Sequence, residues 1–112
     1  MKLPNGERAV LDPGKLTGYV LNTTHPEGRH KARVFLSALG LTATESDVLA
    51  KAILSAVASE QVVETERDAF GVRYGLDFEM SHKGRKAMVR TGWIVRTGED
   101  FLRFVTCYVM ES

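Results

Sequence analysis

The chain has 112 residues, the usual size of one domain, and its 44% hydrophobic and 26% charged content excludes a disordered chain. A net charge of +1 singles out no class of partner, and the lone cysteine, Cys107, excludes an intrachain disulfide and a cysteine-rich zinc site. No apolar run reaches the ~18 residues of a membrane span. Residues 1–8 carry charges with no apolar stretch behind them, so no signal peptide is expected and a reducing, cytoplasmic setting is the default.

The first half of the chain reads helical. Asp12 before Pro13 is a helix N-cap with proline at the first helical position. Leu16, Tyr19 and Val20 follow at helical spacing, and the stretch from Asn22 to Pro26 ends the helix. Residues 23–28 form a loop, because Pro26 biases His25 away from helical backbone angles. A second helix is expected over 30–39, with Val34, Phe35, Ala38 and Leu39 as its apolar stripe and Gly40 as its C-cap. A third starts at Thr44, with Asp47 three residues on as a variant capping box. Val48, Leu49, Ala52, Ile53, Ala56 and Val57 line one face of it.

The second half reads as strands. Over 72–80 the alternation is clean: Val72, Tyr74, Leu76, Phe78 and Met80 point one way, and Arg73, Gly75, Asp77 and Glu79 the other. Residues 81–85 form a turn with a usable glycine. Further strands are expected over 87–96 and 101–110, with a short extra one over 62–66. Helices followed by strands predict one α+β domain over residues 1–112. About three N-terminal helices pack on one face of a C-terminal antiparallel sheet of three to four strands. Val34, Phe35, Leu39, Leu49, Ile53, Val57, Leu76, Phe78 and Val105 are the expected core.

Three places can carry chemistry. His25 lies in a loop, and His30, Lys31 and Arg33 lie in the first turns of a helix with Arg29 beside them. Cations there oppose the helix dipole, which an anionic ligand would explain. A histidine there can move protons near neutral pH; the plain alternative is a solvated loop whose histidines cap or pack. The turn with His82, Lys83, Arg85 and Lys86, followed by Arg90, can grip a nucleic-acid backbone or be a solvated basic turn. Thr91 with Trp93, and Thr106 with Tyr108, each pair a hydroxyl with an aromatic on one strand face. If the pairs share a face they form a base-stacking patch; otherwise they are ordinary cross-strand neighbours. There is no glycine-rich phosphate loop, no histidine or carboxylate set with metal spacing, and no cofactor motif, so neither metal nor cofactor is expected. Cys107, in mid-strand, reads as packed rather than nucleophilic.

These residues also carry a resemblance. Lys15-Leu16, Tyr19-Val20-Leu21-Asn22, His25-Pro26, Gly28, His30-Lys31-Ala32, Phe35 and Leu39-Gly40 come first. Arg90-Thr91, Trp93-Ile94, Leu102, Val105-Thr106 and Tyr108 come later. From about Val10 to Met110 the sequence resembles a family of small bacterial domains of unknown function, met alone and at the ends of toxin-like proteins. The resemblance implies a small cognate antitoxin or immunity protein as partner. More loosely, the order of elements is similar to the barnase–EndoU–colicin–RelE group of metal-independent ribonucleases.

That similarity implies a toxin-type endoribonuclease with an RNA substrate. His25, His30, Lys31, Thr91, Thr106 and Tyr108 would form its catalytic set. Arg29, Arg33, Lys83, Arg85, Lys86, Arg90 and Trp93 would bind the RNA. No carboxylate base of the barnase kind can be assigned. The alternative is a non-catalytic protein-binding module, the partner or immunity-like half of a toxin–antitoxin-type pair. Convergence of these side chains on one concave site separates the two.

Overall fold

The computed structural model describes residues 8–60 and 62–110. The signal-peptide reading falls almost wholly outside them. Asp12 caps the short helix α1 (Pro13–Lys15) by accepting the Gly14 N–H at 2.9 Å. The chain then runs into a π-helical turn (Leu16–Val20), closed by the Leu21 N–H on the Leu16 carbonyl at 2.8 Å. Such a turn holds one residue more than an α-turn.

Helix α2 (Arg29–Leu39) ends at Gly40, whose φ of 66° is the left-handed C-cap expected from sequence. The Gly40 and Leu41 N–H groups close it on the Leu36 and Phe35 carbonyls. Helix α3 (Ser46–Ser59) is entered through a 3₁₀ turn (Ala43–Glu45). The capping box lies two residues before the expected one: it is Thr42 with Glu45 rather than Thr44 with Asp47. Glu45 reaches the Thr42 N–H at 3.3 Å, and the Thr44 hydroxyl is bonded to the Thr42 hydroxyl at 2.8 Å. Leu49, Ile53, Ala56 and Val57 are the buried stripe of α3, while Val48, expected on that stripe, is exposed.

Strands β1 (Val63–Asp68), β2 (Gly71–His82), β3 (Arg85–Arg96) and β4 (Arg103–Val109) form one antiparallel sheet in sequence order. The expected extra strand is thus β1, and the architecture is the α+β arrangement read from the sequence. Lys83 and Gly84 close the β2–β3 hairpin with φ of 51° and 75°, the double positive φ of a two-residue turn. The segment before α1 pairs with the start of β4: Val10 N–H donates to Leu102, and Phe104 N–H to Val10, both at 2.8 Å.

Helices and sheet share one core, in which Phe35, Leu39, Leu49 and Ile53 meet Leu76, Val89, Trp93 and Leu102. Fully burying one such side chain contributes roughly 1.5–3 kcal/mol. Val34 and Phe78 are only partly buried against it. Val105 is not part of it, because β4 carries a bulge. Gly92 pairs with Thr106 but Trp93 pairs with Phe104, so Val105 is the extra residue and Phe104 takes the inward position. The Phe104 and Trp93 rings meet edge to face at 5.5 Å.

Candidate functional site

Lys31 stands near the start of α2 and reaches β4. Its Nζ donates to Thr106 Oγ1 at 3.2 Å and to the Tyr19 hydroxyl at 3.4 Å. It also lies 5.2 Å from the Tyr19 ring centre and 5.6 Å from that of Tyr108. The bulge sets this geometry. Below it, Thr91 pairs with Cys107 on the core side, so Thr106 and Tyr108 project from the opposite side of β4. Tyr19 comes from the π turn. Sequence reasoning placed Lys31 with both the Thr91–Trp93 and the Thr106–Tyr108 pairs as candidates and left Tyr19 out of the site; its place in the apolar spacing of the first expected helix made it look like core.

Tyr108 pairs in register with Arg90, and Arg90 with Asp77. Asp77 holds Arg90 in a two-pronged pair at 2.8 and 2.9 Å. That carboxylate first, and the Tyr108 phenol second, raise the guanidinium's pKa above its ordinary value. Arg90 is therefore committed within the sheet.

His25 sits beside this cluster, its ring edge-on to Tyr19 with centres 4.9 Å apart. Its Nδ1 accepts the backbone N–H groups of both Glu27 and Gly28 at 3.0 Å. The ring thus fastens the turn that leads into α2. The turn is packed tightly against the π turn: a Cβ on Gly28 would collide with the Tyr19 carbonyl oxygen. His30 lies one residue from Lys31 and borders the grooves described below.

The Thr91–Trp93 pair does not share a face with Thr106–Tyr108. Thr91 and Trp93 are 0% and 1% exposed. The Thr91 hydroxyl donates to the Leu76 carbonyl at 2.9 Å and accepts the Trp93 indole N–H at 2.8 Å. A ring so enclosed has no face on which a base could stack. Cys107 is likewise inside, and burial pushes its thiol up to about 12.

The basic turn is used against α2. Arg85 Nη1 donates to the Ser37 carbonyl at 2.9 Å, His82 Nδ1 meets the Leu39 carbonyl at 2.6 Å, and Lys83 Nζ donates to the Gly40 carbonyl at 3.3 Å. These are the carbonyls a helix end leaves unpaired, at the negative end of its dipole. His82 Nε2 and Lys83 Nζ also face Glu45, at 3.2 and 3.3 Å. Lys83 and Arg85, expected on RNA, are therefore helix-capping groups. Lys86 is exposed and borders a groove with Arg33; Arg29 is exposed at the start of α2.

Two neighbouring grooves, both bordered by His30, Val34 and Val109, lie beside α2. One of about 330 Å³ is bordered by His30, Lys31, Val34, Tyr108 and Val109. Beside it lies one of about 860 Å³, lined by the charged Arg33, Lys86 and Glu79 and the apolar Val34, Ala38, Ala87, Met88 and Val109. Among the described residues no three histidine, cysteine, aspartate or glutamate side chains gather as metal ligands would. Nor is any helix there long and apolar enough to cross a membrane.

The family model for the domain of unknown function DUF6883 matches residues 2–111. The chain belongs to this family. Among curated proteins none matches. Among solved structures, the DUF6883 chain is similar to one in the "contact-dependent growth inhibition toxin - immunity protein complex" from Klebsiella pneumoniae 342. That match has a TM-score of 0.71 at 16% identity and covers 90% of this chain and 99% of the other. At that identity the likeness concerns the fold. Neither match names a ribonuclease.

Proposed function

We propose that this DUF6883 chain is a non-catalytic protein-binding module, the partner or immunity-like component of a toxin–immunity-type pair. The observation that carries this reading is the fate of the residues a ribonuclease would need. His25 Nδ1 is taken by two backbone N–H groups, Thr91 and Trp93 are sealed in the core, and Lys83 and Arg85 cap α2. The fold shared with a chain of a toxin–immunity complex supports the same reading.

A second reading rests on a different observation: Lys31, Thr106, Tyr108, Tyr19 and His25 do gather at one place. In a small toxin-type, metal-independent endoribonuclease Lys31 would stabilise phosphate charge, and His30, or His25 through Nε2, would carry a proton.

One experiment separates the two. The chain is expressed in a bacterial host, alone and with each protein encoded beside it, and growth, RNA integrity and co-purification are followed. The module reading expects unimpaired growth, intact RNA and a stable complex with one neighbour. Growth arrest with RNA fragmentation, abolished by Lys31→Ala, would instead establish the nuclease.

A further inference from the structure

We propose that Lys31 is the receptor for a carboxylate that an acidic protein partner inserts between Tyr19, Thr106 and Tyr108. This rests on the protein-binding reading above and names what the partner brings. The argument begins with the half-buried cations, which among the described lysines and arginines are Lys31, Arg73 and Arg103. Arg73 holds Asp68 at 3.2 Å, and Arg103 holds Glu99 at 2.8 Å. Lys31 holds no carboxylate among the described residues: its contacts are two hydroxyls and two aromatic faces, all neutral. A cation drawn partly out of water is normally matched by an anion. Here no described residue supplies the matching charge, which leaves the place open to a partner's carboxylate.

The surroundings fix the chemistry of the donor. Tyr19 and Thr106 accept from Lys31, and each keeps a hydroxyl proton that can be donated to an incoming oxygen. The groove at Lys31 adjoins a larger one through the shared Val34 and Val109, and the larger one is lined by Ala38 with Arg33 and Lys86 against Glu79. One enclosed cation, an apolar lining and a net basic charge beside it suit an acidic side chain followed by apolar ones. They suit a nucleic-acid backbone less well. A backbone needs a row of uncommitted cations, and Arg85, Lys83 and Arg90 are already engaged within the fold.

The test uses the full chain, each protein encoded beside it, and a twelve-residue oligouridylate as the nucleic-acid probe. Lys31→Met keeps the aliphatic stem and removes the charge; circular dichroism and thermal melting confirm that it folds. Titration calorimetry should show one neighbour binding the native chain, with affinity falling as salt rises. Lys31→Met should weaken that binding roughly 30-fold or more, because the partner's acid is left buried and unpaired. A Lys31→Glu chain should be rescued by changing one acidic residue of the partner to lysine. If the neighbour binds Lys31→Met as tightly as the native chain, the receptor is overturned and the protein-binding reading stands. If neither neighbour binds the native chain, both fall. If oligouridylate binds the native chain in a Lys31-dependent way and displaces the neighbour, the site is for phosphate and the carboxylate proposal is overturned.

Discussion

Replacing Thr91 by valine tests whether this hydroxyl belongs to the fold or to a reaction. Valine keeps the branched shape, so no cavity opens. What is lost is the acceptor for the Trp93 indole N–H at 2.8 Å and the donor to the Leu76 carbonyl at 2.9 Å, in a place with no access to water. The carbonyl has its ladder position to fall back on, whereas the indole N–H is stranded. Stranding one buried donor costs about 1–3 kcal/mol. Thr91→Ser keeps the hydroxyl and loses one methyl, at roughly 0.8 kcal/mol. The expected order of stability is native, serine, valine. The valine variant should melt about 4–24 °C below native, taking ~4–8 °C per kcal/mol for a small domain.

Urea unfolding followed by far-ultraviolet circular dichroism measures this without relying on Trp93, the only tryptophan. In a Trp93→Phe background no indole N–H remains, so the cost of Thr91→Val should shrink by at least ~1 kcal/mol. A valine variant as stable as the serine one, or an equal cost in both backgrounds, would refute a structural role for this hydroxyl.

Other outcomes follow from the same packing. Gly28→Ala forces a Cβ onto the Tyr19 carbonyl and should cost about 1–3 kcal/mol in thermal unfolding; a loss under ~0.5 kcal/mol would mean the turn yields freely. Arg90 lowers the pKa of Asp77, and Arg103 that of Glu99. A carboxyl with a lowered folded-state pKa adds stability above its unfolded value, here 3.8 for Asp77 and 4.5 for Glu99, and loses it as pH falls through the folded value. Urea midpoints should therefore fall below about pH 4, less steeply in Asp77→Asn, and a midpoint flat from pH 5 to about 2.5 would contradict this. Arg85→Ala should cost about 1–2 kcal/mol and speed amide exchange at the end of α2; unchanged exchange there would show that the Ser37 contact caps nothing.

Much of the architecture was legible because local chemistry and tertiary packing agree. Asp12-Pro13, Gly40 and the alternation from Val72 to Met80 read the same alone and in the fold. The misreadings arise where neighbours distant in sequence decide. Val48 follows the helical period yet faces solvent, since only the stripe ending in Val57 meets the sheet. Val105 follows strand alternation, but that alternation shifts by one at the bulge, which no local composition announces. The site was legible in part. Lys31, Thr106 and Tyr108, grouped by residue type, lie together in the fold, whereas the histidine turn and the basic hairpin tip found partners among backbone groups, which a side-chain pattern does not display.

The walls around Lys31 share an origin in chain length. Tyr19 is presented by a π turn and Thr106 with Tyr108 by a β-bulge, each holding one residue beyond the regular repeat. Gly18 in the π turn has no heavy atom within 4 Å of where a Cβ would stand. Its deletion would remove no side chain, though it would lose the carbonyl that accepts from Asn22 Nδ2, and it would rotate Tyr19 by about 100° about the helix axis, away from Lys31. Deleting Val105 would only make the ladder regular, with Phe104 opposite Trp93 and Thr106 opposite Gly92, and would leave Thr106 and Tyr108 on their present side. The pocket can therefore be dismantled by a single deletion in the π turn that leaves every one of its own side chains in the sequence, whereas the same operation at the bulge leaves its β4 wall standing.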